Sequence, residues 1–84
     1  MKNLIKTYEE AQSTANAALE AWENDIENTE LEATFNKAYK TEFKALETLI
    51  NYIVEATAGQ INSKDARFMV ATQLDTLKAI AEKE

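Results

Sequence analysis

The feature that most limits what this chain can fold into is the spacing of apolar side chains between Thr29 and Ala58. Phe35, Tyr39, Glu42, Leu46, Leu49, Ile53 and Ala56 follow one another at steps of four and three. That spacing gathers them on one side of an α-helix and on neither face of a strand. Leu31, Ala38, Phe43, Ile50 and Val54 flank the seam, making the stripe wide enough to meet two neighbouring helices. A central helix over residues 29–58 is the expectation.

Two further segments share the period. Leu4, Tyr8, Ala11, Ala15, Ala18 and Trp22 align within residues 3–26. Their alanines permit close helix approach but bury little area. Leu4, Tyr8, Leu19 and Trp22 must then supply most of this helix's hydrophobic gain at roughly 25 cal/mol per Å², with Trp22 as its main anchor. Within residues 63–83, Ala66, Val70, Leu74, Leu77 and Ala81 fall together, with Met69 and Ile80 on one shoulder and Ala71 on the other. No useful stretch alternates as a strand would. The pattern predicts an all-α chain: an antiparallel up-down-up three-helix bundle, helices 3–26, 29–58 and 63–83, in a single helical domain 1–84.

The turns can be read from the residues that punctuate these segments. Gly59, the only glycine in a proline-free chain, stands where a left-handed residue commonly ends a helix. Asn62 or Ser63 can cap the third helix, Asp65 favours its dipole, and Ile61 can staple the turn to the bundle. A calcium loop fails here, because the oxygen-ligand spacing and closing glutamate are missing. In the first turn, Thr29 with Glu32 forms a capping box, and the seam slips phase between Trp22 and Phe35, so a break over residues 24–28 is expected. The alternative is one continuous helix over residues 3–58, which would have to dimerise to cover its seam.

Composition removes most chemistry. The sequence has no cysteine and no histidine, hence no thiolate nucleophile, disulfide, imidazole base or zinc set. A net charge of −6 without a basic stripe opposes direct nucleic-acid binding. The N-terminal MKNLIKTYEEAQ offers only Leu4-Ile5 as an apolar run, so neither a signal sequence nor a membrane span is expected, and a cytoplasmic location is the default. No cofactor is implied.

Four features stand out from this background. Glu42 interrupts the apolar seam between Tyr39 and Leu46, where an unpaired carboxylate is costly. In a straight three-helix bundle its level matches Lys78 on the third helix and Ser13 and Thr14 on the first, giving a polar contact that sets register. Arg67 lies at a face edge, its stem over apolar surface and its guanidinium toward water or a carboxylate. Phe68 points away from the third helix's core face, and with Tyr52 and Val54 near the same end it forms a candidate partner surface. Glu20, Glu23, Asp25, Glu27, Glu30 and Glu32 form an acidic patch with no intervening lysine or arginine, either a solvated helix end or a lure for a basic partner or divalent cations.

These features suit a small non-enzymatic helical protein–protein interaction module. Off-face Phe68, Tyr52 and Ile5 allow burial against a protein partner or a second copy, as in a homodimer. The alternative is an acidic inhibitor or charge mimic, of the kind small phage or antidote proteins provide, that covers a basic protein surface. An enzyme using Glu42 with Tyr39 or Lys78 to pass a proton lacks a nucleophile, metal set or phosphate loop.

Overall fold

A computed structural model describes residues 1–83; Glu84, the last residue of the expected 1–84 domain, lies outside them. The described residues form four helices: α1 (Lys2–Glu23), α2 (Thr29–Ala56), α3 (Ser63–Thr72) and α4 (Leu74–Glu82). Among the described residues there is no strand, so the all-α reading holds while the count of three helices does not. The expected third helix is cut at Gln73, whose backbone leaves helical geometry at φ −129°, ψ 32°.

That cut changes the architecture. Had residues 63–83 run straight along α2, Leu77 would lie about 16 Å beyond Ala66 at 1.5 Å per residue, near the level of Phe43. Leu77 and Ile80 instead line a hollow with Ile53, Thr57, Ile61 and Met69. α4 therefore doubles back toward the end where α3 began. It packs on α1 while α3 packs on α2, and the four helices close a ring, each touching the next. Inside the ring lie Ile5, Tyr8, Leu49, Ile50, Ile53, Ala66, Val70, Leu77 and Ala81. Leu49 is wholly enclosed at 0% exposure.

Ile5, expected to lie off the core face, is buried. Its position lies on the shoulder of the α1–α2 seam, about 60° from Tyr8, and Lys78 and Ala81 of the returning α4 flank it. Trp22 is only half-buried, so the anchors of α1 are Ile5 and Tyr8. Beyond the ring, the buried residues of the α1–α2 hairpin are Ala11 and Ala15, side chains that bring two backbones close and contribute little area.

Local chemistry accounts for both turns. At residues 24–28 the chain reverses, and Asn28 caps α2: its Oδ1 accepts from the Glu30 and Leu31 amides at 3.0 and 3.3 Å, and its Nδ2 donates to Asp25 Oδ2 at 3.1 Å. The cap is thus one residue earlier than the expected Thr29 box, because the Asn28 amide can serve the helix and the turn together. In the second turn the left-handed stretch begins at Ala58 (φ 54°) and continues at Gly59 (φ 82°). A Cβ on Gly59 would meet nothing within 4 Å, so glycine serves its dihedral angle and not a close approach. Thr57 Oγ1 donates to the Ile53 carbonyl and accepts from the Ile61 amide, at 2.9 and 3.2 Å, closing the turn. Asn62, not Ser63, caps α3 by accepting from the Asp65 amide at 2.8 Å.

Candidate functional site

Because α3 is short and α4 returns to the ring, the far half of the α1–α2 hairpin has no third helix beside it. Steps of four put Phe35, Tyr39 and Phe43 on one line of α2. Trp22 of α1 stacks on Phe35 with ring centroids 5.6 Å apart, and Phe35 meets Tyr39 at 6.0 Å. Tyr39 stays 54% exposed and Phe43 42% exposed. Trp22 is also fixed from the turn, its Nε1 donating to the Ile26 carbonyl at 3.2 Å. The result is an aromatic stripe held in place by stacking and left open to solvent.

Cations border one end of the stripe. The Arg67 guanidinium reaches from α3 over the Phe43 ring, 6.0 Å from its centroid, within cation–π range. Arg67 remains exposed to water, as expected, and gains this aromatic face in addition. Lys40 shares a shallow hollow with Tyr39 and Phe43.

Acids occupy the other end. Glu20 and Glu23 sit in the last turn of α1, Asp25 and Glu27 in the connecting turn, and Glu30 and Glu32 in the first turn of α2. All six are exposed at the hairpin tip. Glu30 and Glu32 suit the positive end of the α2 dipole, but Glu20 and Glu23 oppose the negative end of α1, whose last turn carries no base. Among the described residues no acids gather closely enough to hold a metal ion.

The structure separates the expected Glu42–Lys78 pair. With α4 turned back, Lys78 Nζ meets Glu9 Oε2 of α1 at 2.7 Å, and that hydrogen bond is the main influence raising the Lys78 pKa. Ser13 and Thr14 are exposed. Glu42 is half-buried, and its charge is felt by Tyr8. Burial chiefly, and the Glu42 carboxylate secondarily, raise the Tyr8 phenol above its ordinary 10.0.

A neutral Tyr8 is thus favoured in the fold. Its stabilising contribution is complete below the unfolded value and disappears as pH rises through the raised folded value. In an alkaline titration followed by phenolate absorbance, one of the three tyrosines should ionise late, with unfolding close behind. Glu42→Gln should move that late step downward without removing it, since burial remains. An unmoved step would show that Glu42 does not act on Tyr8.

The proposed surface of Tyr52, Val54 and Phe68 is not one patch. Tyr52 and Val54 are two residues apart on α2 and leave its axis on nearly opposite sides. Tyr52 borders the hollow at the ring end, and Val54 packs against the core. Phe68 is 62% exposed on α3. The stripe that does form lies on seam positions Phe35 and Tyr39 and flanking Phe43, where periodicity gives the apolar side of α2 but not what stands opposite it. No family model, curated protein or solved structure matches this chain.

Proposed function

We propose that this protein is a small non-enzymatic helical interaction module that self-associates through the open half of its α1–α2 hairpin. One observation carries the reading: the Trp22, Phe35, Tyr39 and Phe43 rings line the side that a full-length third helix would have covered. Contiguous exposed aromatics rimmed by charge are characteristic of surfaces that bind other proteins. The hairpin beyond the ring buries only alanines of its own, so covering this face would supply the core it lacks.

The acidic tip favours a second reading, a charge mimic for a basic protein surface. Glu20 and Glu23 cost stability where they stand and would be relieved by an approaching cation. The two readings part at the stripe, since charge mimicry does not require exposed rings.

Sedimentation equilibrium tests the first. A homodimer with a dissociation constant on the order of micromolar is expected, the weak end for interfaces of modest size. A chain that stays monomeric up to about millimolar concentration, where even a contact of ~4 kcal/mol would register, would overturn self-association.

A further inference from the structure

We infer that the second copy docks antiparallel, about a two-fold axis between Phe35 and Tyr39, with Glu32 of each copy placed on Arg67 of the other. This rests on the self-association reading and adds its geometry. The molecule is stepped in profile: thick where the four-helix ring closes, thin along the bare hairpin. A parallel pairing would press ring against ring and acidic tip against acidic tip. An antiparallel pairing lays each thin half beside the other's step.

The open stretch of α2 runs from Asn28 at the tip to about Leu46, which already packs against the core of the ring. Each tip reaches the other copy's step when the axis lies midway, near residue 37. Phe35 then faces Tyr39 of the other copy, and Leu31 faces its Phe43. Glu32, on the same line of α2 as Tyr39, arrives beside that Phe43 and therefore beside the guanidinium already poised above it. The acids of one end thus meet the cations of the other, twice, by symmetry. The open face is about 27 Å long and two helices of roughly 10 Å wide, ~540 Å² in projection before side-chain relief. That approaches the roughly 600–1,000 Å² per partner of stable interfaces.

Charge exchange tests the register. In sedimentation equilibrium at low salt, Glu32→Arg and Arg67→Glu should each weaken the dimer about tenfold or more, and the double variant should recover to within about threefold of wild type. Additive losses in the double variant would overturn the register while leaving the dimer itself standing; a monomeric wild type would remove both.

Cross-linking supplies an independent measurement, because the chain has no cysteine of its own. Asn36→Cys, near the axis, should oxidise to a disulfide-linked dimer. Glu47→Cys should not, since its two copies would lie about 30 Å apart at 1.5 Å per residue. Cross-linking at Glu47 and not at Asn36 would overturn the antiparallel arrangement.

Discussion

Leu49→Ala should cost about 3 kcal/mol, the largest loss expected from any single truncation in this chain. Among the described residues Leu49 is the one large side chain with no exposure, placed among residues of all four helices. Deleting it removes its transfer energy and leaves a cavity that four short helices can only partly fill. Domains of this size have about 5–10 kcal/mol in total, so the urea midpoint should fall by roughly 30% or more. Phe68→Ala, at a ring 62% exposed, should stay within about 0.5 kcal/mol of wild type. A Leu49→Ala midpoint close to that of Phe68→Ala would mean that the ring is not the cooperative centre.

One half of the fold is legible in the sequence and the other is not. Steps of four and three located α1 and α2 and their antiparallel pairing, because helix period and amphipathicity are local properties. Gly59, Asn62 and the break at residues 24–28 were legible because turns need particular backbone and side-chain chemistry. The cut at Gln73 carries no glycine or proline. Its traces are weaker: two successive steps of four from Ala66 through Val70 to Leu74, a polar gap at Thr72-Gln73, and Asp75 just beyond, a residue suited to a helix start.

That single omission propagated. With a straight third helix, Glu42 falls level with Lys78, Ile5 lies outside the core, and Tyr39 and Phe43 are interior. With α4 folded back, Lys78 pairs with Glu9, Ile5 is flanked by α4, and the aromatic line is bare. Periodicity states which side of a helix is apolar but is silent on what stands opposite, since that is settled by tertiary packing elsewhere in the chain. The acidic tip was legible as a cluster from spacing alone. Its position at one end of an aromatic stripe was not.

Tyr39→Glu combined with Phe43→Glu should abolish dimerisation while leaving the fold nearly as stable as that of the wild-type monomer. Both rings lie outside the enclosed core and are 54% and 42% exposed, so the monomer loses one stacking contact at Phe35 and the Arg67 cation–π contact, each worth about 0.5–1.5 kcal/mol. The dimer loses far more. With aromatic side chains of roughly 200 Å², the two rings on two copies leave on the order of 380 Å² for an interface to cover, an upper bound near 10 kcal/mol at 25 cal/mol per Å². A third of that already weakens association more than 100-fold, before counting the four carboxylates driven into an apolar seam. Linkage makes the effect visible in thermal denaturation: the wild-type melting temperature should climb with protein concentration, and that of the double variant should not. If the double variant keeps the concentration dependence, the stripe is not the contact surface; if wild type never shows it, the open hairpin does not bind its own copy.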